Sequence, residues 1–346
     1  MLCKISNGYA FKKCSNMKIS NILLTNSIYD SIITVLVQIV QFVWRENMIK
    51  ISNLTKAYDK TNVLENLNCT IKDDCIYGLV GANGAGKSTL LRIINGVFRA
   101  DSGLVEIDGK ECVDNEEMKQ KMVFIPDDLF FFQGYTLLDT AKFYAALYTA
   151  FDMAYFNELA KTLKLDVNKK INALSKGLKR QSALICALAT KAKYMFFDET
   201  FDGLDPVVRN KVKKIIAKHM DNNDTTVIMT SHNLRELEDI CDNLGLLYKG
   251  GIFFESEIDT LKTNMFKVQI SLKDEFSKDN FKDLDVLSFK KSGSVATIII
   301  NGDRDYAYEK LNKLNPVILD FIPLTLEELF IYQMEVLGYE FNEIME

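Results

Sequence analysis

The residues Gly81-Ala82-Asn83-Gly84-Ala85-Gly86-Lys87-Ser88-Thr89 fit the pattern G-x-x-x-x-G-K-[ST] without a mismatch. The chemistry of this spacing is phosphate binding. Glycines let backbone N–H groups converge on an anion, and a helix N-terminus adds positive potential. A lysine at this offset reaches the β- and γ-phosphates of a nucleotide, and the hydroxyl of Ser88 is placed to bind Mg²⁺. A glycine-rich turn without a ligand has no packing use for Lys-Ser-Thr at this offset. Further along, Tyr194-Met195-Phe196-Phe197-Asp198-Glu199 is an apolar run ending in two carboxylates. Asp198 can hold Mg²⁺ directly or through water, and Glu199, pointing elsewhere, can polarise an attacking water. Two acids after a strand can also merely cap the next turn; the phosphate loop upstream favours the catalytic reading.

These residues need elements to carry them. Cys75–Val80 reads as a buried strand leading into the loop, and Leu90–Asn95 as a helix leaving it. From Met48 the pattern predicts strands near 48–54, 67–72, 75–80 and 104–107, then helices near 138–149, 152–164 and 175–190. Uniformly apolar strands at 193–198 and 225–230 alternate with helices at 205–220 and 233–241, and strands near 244–248 and 251–255 follow. This is an α/β fold around a mainly parallel sheet. Residues 262–346 read as a small α+β appendage with strands at 266–270 and 295–300 and helices at 305–314 and 325–337.

The chain has 346 residues, 48% of them apolar, enough for roughly two domains. Its net charge of −5 argues against a nucleic-acid partner, and two histidines make a histidine-based metal site a poor expectation. Seven cysteines, an odd number without C-x-x-C spacing, suggest small buried hydrophobes in a reducing compartment. Residues 1–47 differ from the rest, with five Lys/Arg against two Asp/Glu and an apolar run from Ile28 to Trp44 broken by Asp30, Gln38 and Gln41. That run suits neither a spanning helix nor a cleavable signal, though an amphipathic surface helix is open. The preferred expectation is that Met48 starts the folded protein and that 1–47 is an extension from a mis-called start.

Beyond the two carboxylates, the motifs resemble the ATP-binding subunit of ATP-binding cassette (ABC) transporters over roughly residues 48–255. Leu174-Ser175-Lys176-Gly177-Leu178-Lys179-Arg180-Gln181 resembles the signature LSGGQ, just before a helix. Thr230-Ser231-His232 is similar to the segment that ends in the family's switch histidine, and Phe201-Asp202-Gly203-Leu204-Asp205 to the loop linking two subunits. Tyr58 matches the aromatic that stacks on adenine. The resemblance implies a P-loop NTPase of ABC type at 48–261, with an antiparallel β part and a helical lobe near 127–190, and an accessory domain at 262–346. It implies ATP and Mg²⁺ as ligands, held by Tyr58, Gly81, Asn83, Gly84, Ala85, Gly86, Lys87, Ser88 and Thr89, with Ser175 and Gly177 closing over the γ-phosphate of a second ATPase subunit. Glu199 and His232 are the implied catalytic pair, with Ser88, Asp198 and Asp127 at the metal. The other histidine, His219, is expected on a solvated helix face beside Lys213, Lys214 and Lys218.

The sequence departs from the family in three places. Lys176 and Leu178 replace a glycine and a glutamine of the signature, and Asp127 stands after Pro126 where the family usually has glutamine. Together with Pro323–Phe330, these features resemble the ABC-2-type exporter branch, whose membrane permease is a separate chain. The implied place is the cytoplasmic face of the membrane, held by the permease. The aromatic-rich stretch with Phe130, Phe131, Phe132, Tyr135, Phe143, Tyr144 and Tyr148 is then the groove for the permease's coupling helix, and core packing is the plainer reading for some of these rings. An alternative is an ABC-type ATPase acting in translation or on DNA. A single phosphate loop and the lack of a coiled-coil insertion speak against it.

Overall fold

In a computed structural model, residues 48–59 and 61–336 are described. The expected extension 1–47 lies outside them. Three sheets organise the chain. The first is antiparallel, in the order β2 (Thr61–Lys72), β1 (Met48–Tyr58), β4 (Ser102–Ile107), β5 (Lys110–Glu111). The second has six strands in the order β10 (Gly251–Glu257), β9 (Asn243–Tyr248), β3 (Ile76–Val80), β8 (Thr226–Ser231), β7 (Tyr194–Asp198), β6 (Met122–Ile125). All its pairings are parallel except β9 with β10, which the Lys249-Gly250 turn joins as a hairpin.

Strands β3, β7 and β8 are buried along their whole length. Side chains alternate across a strand, so each supplies two cores. Met195 and Phe197 join the cluster formed with the helices Lys176–Ala189 and Pro206–Asp221. Tyr194 and Phe196 join the opposite cluster, with Ile49, Ile51 and Leu54 of β1 and Leu90, Leu91 and Ile94 of the helix Lys87–Ile94. The five cysteines among the described residues are buried and free. Burial pushes the thiol of Cys75 up to about 11 and those of Cys69 and Cys112 up to about 12, so these side chains pack rather than react.

The third sheet runs β12 (Asp285–Ser292), β13 (Val295–Asn301), β11 (Met265–Ser271), β14 (Ile318–Ile322), all antiparallel. With the helix Arg304–Asn312 it has its own apolar cluster around Val268, Ile298 and Leu311. The helix Leu326–Val336 returns to the first part of the chain. Leu326, Phe330 and Met334 pack in the same cluster as Met195 and Phe197, and the Leu326 N–H donates to Glu238 Oε1 at 2.8 Å.

One expectation is corrected here. His219 is not solvated: it is 1% exposed and stacks on Tyr155 with ring centroids 5.7 Å apart. The reason is its phase. Val212, Ile215, Ile216 and His219 form one helical stripe, and all four are buried.

Candidate active site

The four neighbouring parallel strands β3, β8, β7 and β6 bring their carboxyl ends to one edge of the sheet. In an open α/β sheet this is where ligands bind. The register sets the depth of each group. Val80, which precedes the phosphate loop, pairs with Ser231, and Asp198 pairs with Thr230. A cavity of about 510 Å³ opens at this edge. It is lined by Asn83, Gly84, Gly86, Lys87, Ser88 and Thr89 of the loop, and by Val63, Asp127, Glu199, Asp202 and His232.

The loop bends into the helix at Gly86, whose φ of 106° suits glycine. A Cβ there would also stand 2.9 Å from the Val63 carbonyl oxygen. Lys87, the first helical residue, is 5% exposed. Its Nζ donates to the carbonyls of Gly81 at 2.6 Å and Ala82 at 3.1 Å, and lies 3.3 Å from Glu199 Oε1. The other oxygen of Glu199 is 2.9 Å from His232 Nδ1. One carboxylate thus links the phosphate-loop lysine to the histidine after β8.

Glu199 is held by its backbone. Its φ is 47°, in the left-handed region that a non-glycine residue occupies only when neighbours fix it. Its N–H donates to Thr230 Oγ1 at 3.0 Å, and the same hydroxyl donates to Asp198 Oδ1 at 2.7 Å. Asp198 is fully buried, and its Oδ2 has no hydrogen-bond partner. A buried carboxylate oxygen left without a donor fits a cation or a metal-bound water. Ser88, whose hydroxyl was expected at Mg²⁺, lines the neighbouring cavity. Among the described residues no group of three or more His, Cys, Asp or Glu is placed to hold a metal.

Asp127 lies on the cavity wall and forms an ion pair with the guanidinium of Arg180, which is 1% exposed. Asp202, on the same wall, accepts from Lys176 Nζ at 2.7 Å. Ser175 caps the helix Lys176–Ala189 by accepting from the Leu178 N–H at 3.4 Å, and it is exposed. Ser175, Gly177 and Tyr58 are not among the residues lining the cavity. Tyr58 ends β1, half exposed, edge-on to Phe98 with ring centroids 6.3 Å apart. Sequence reasoning assigned no site role to Thr230, Arg180, Asp202 or Val63. The first three stood inside quoted motifs, so the signal was position in the motif; Val63 carried none.

The family model described as ABC transporter matches residues 64–202. The ABC transporter ATP-binding protein YtrB of Bacillus subtilis is 31% identical over 284 residues, covering 82% of this chain and 97% of that protein. The bacitracin transport ATP-binding protein BcrA of Bacillus licheniformis is 28% identical over 218 residues, 62% of this chain and 71% of BcrA. Among solved structures, the dimeric bacterial ABC transporter cassette MJ0796 shares 24% identity with a TM-score of 0.56, covering 61% of this chain and 99% of that one. An ATP-binding subunit of an ABC transporter superposes with a TM-score of 0.57 at 23% identity, over 62% of this chain and 92% of that one. The cassette fold is shared, and similarity to YtrB runs along nearly that protein's whole length: the chain belongs to the ATP-binding proteins of the ABC transporter family.

Proposed function

We propose that this chain hydrolyses ATP in a site completed by a second ATPase subunit, a copy of itself or a paralogue, and so drives an exporter whose membrane part is a separate chain. The observation that carries the reading is the Glu199 carboxylate, 3.3 Å from Lys87 Nζ and 2.9 Å from His232 Nδ1 at the end of two adjacent strands. Lys87 binds the terminal phosphates and the loop N–H groups of Gly84, Ala85 and Gly86 cradle the chain of phosphates. Glu199 accepts a proton from the attacking water, and His232 fixes the carboxylate and reaches the γ-phosphate. Ser88 and Asp198 would hold Mg²⁺, which would supply positive charge to offset that of the phosphates. Asp127, expected as a further metal contact, lines the same cavity with one oxygen engaged by Arg180.

The second subunit enters because the helix start at Ser175, which is exposed, and Gly177 lies outside this cavity, where its N–H groups could meet a phosphate held by the partner. Tyr58 is left to stack on adenine. The permease contact is the aromatic cleft of about 250 Å³ lined by Phe124, Phe130, Phe132, Phe143, Tyr144 and Tyr148. Phe130 is 78% exposed there, an apolar surface that a partner helix would cover. No helix among the described residues is long and apolar enough to cross a membrane. The names of BcrA and of the lantibiotic transport protein SrtF of Streptococcus pyogenes support the exporter reading. Bound to such a permease, the chain would sit at the cytoplasmic face of the membrane. No relative named here supports the translation- or DNA-associated alternative.

The test is Glu199→Gln. Loss of the general base should lower turnover of MgATP by about 10²–10⁴-fold while ATP binding persists and the dimer accumulates. Unchanged turnover would remove Glu199 from the mechanism.

A further inference from the structure

An acid at position 127 is a problem for a site that binds polyphosphate. A carboxylate on the wall repels the ligand, and the repulsion is large where water is partly excluded. Asp127 and Asp202 both line the cavity. Two cations of the helix Lys176–Ala189 meet them: Arg180 pairs with Asp127 and lies 3.7 Å from Asp202, and Lys176 pairs with Asp202 at 2.7 Å. Lys176 and Arg180 are one helical turn apart, so both reach from one face. The helix also approaches the Asp202 loop closely, since a Cβ on Gly177 would stand 3.0 Å from the Gly203 carbonyl oxygen.

Arg180 has no other evident purpose. It is among the largest fully buried side chains, yet its Nε and Nη1 have no hydrogen-bond partner. A buried guanidinium is tolerated only when an anion compensates it. Its nearest anion among the described residues is Asp127, half exposed on the cavity wall, with Asp202 farther off at 3.7 Å.

We propose that Asp127 and Arg180 are a charge-compensated positioning pair: Arg180 cancels the wall carboxylate so that the phosphates can enter, and ties the helix behind the signature to the cavity. The proposal rests on the cavity taking MgATP. It predicts that Arg180 matters to nucleotide binding only while an acid stands at 127.

The experiment is a double-mutant cycle on the full chain: parent, Arg180→Gln, Asp127→Gln and the double variant. KM for MgATP, the affinity for a fluorescent ATP analogue with Mg²⁺, and thermal melting are measured for each. In the parent background Arg180→Gln raises KM and weakens the analogue by about tenfold or more, the scale of one uncompensated charge in a partly solvated site. In the Asp127→Gln background the same change has less than about a threefold effect, the residue of a coupling that is gone. Asp127→Gln alone lowers the melting temperature, because it strands the buried guanidinium. An equal effect of Arg180→Gln in both backgrounds, or no effect in either, overturns the pair. If Arg180→Gln does not fold, recovery of folding and analogue binding in the double variant supports it, and failure of both variants overturns it. A parent that binds the analogue without turnover refutes hydrolysis while the pair is still judged on affinity; a parent that does not bind the analogue overturns both.

Discussion

At Thr230 one hydroxyl serves two neighbours, accepting from the Glu199 N–H and donating to Asp198 Oδ1. Thr230→Val keeps the shape and removes both bonds, leaving a fully buried carboxylate without a protein donor. The expected cost is about 1–3 kcal/mol in a denaturant melt, with turnover reduced because Glu199 loses a support of its φ of 47°. His219 gives a second prediction. Burial, and then the charge of Lys191, lowers its pKa to about 4. Below the ordinary value of about 6.5 the unfolded chain takes up a proton that the folded chain refuses, so stability falls as pH drops from 6.5 towards 4. The loss should be roughly 2 kcal/mol by pH 5, and His219→Phe, which keeps the stack on Tyr155, should flatten the melting profile between pH 5 and 7. The stripe Val212, Ile215, Ile216, His219 was legible as a buried phase; the nearby lysines outweighed it because they mark a different face of the same helix.

The elements around the site were the most legible part. β3 and β7 are built on apolar runs, β8 on the shorter run Val227–Met229, and each ends at a chemical motif. Less legible were β6, only four residues long, and β12 and β14, which edge their sheet with mostly half-buried side chains. A strand covered on one side carries little apolar signal. The helix expected at 233–241 stops at Leu237, and the chain turns at Asp239 with φ 65°. The helix Pro206–Asp221 follows directly from the loop that carries Asp202, and Asp205 caps it by accepting from the N–H groups of Val207 and Val208, each at 3.0 Å. Asp205→Ala should destabilise the protein by about 1 kcal/mol in thermal melts while ATP-analogue affinity stays near the parent's. A large loss of affinity instead would show that the cap also sets the Asp202 loop.

On the scale of the whole molecule, the last described helix matters to the cassette. Leu326, Phe330 and Met334 complete the core that holds Met195 and Phe197 on β7, and Arg235 Nε binds Glu327 at 2.9 Å at the surface. Phe330→Ala should cost about 3–5 kcal/mol and lower the melting temperature of the nucleotide-binding part itself. Two separate transitions, with the nucleotide-stabilised one unmoved, would mean that 262–346 folds as an independent appendage.

The candidate site was legible in local motifs: a lysine and hydroxyls in a glycine-rich loop, two acids after a buried strand, and a histidine after another. These motifs are local, because phosphate binding needs consecutive N–H groups and a strand end needs only the next residue. Contacts between residues far apart in sequence came from the fold. It put Thr230 between Asp198 and Glu199, because parallel pairing sets β8 against β7. It buried His219, and it set Arg180 against Asp127, residues 53 apart. A charge takes its meaning from whatever packs beside it, and that partner is chosen by the fold.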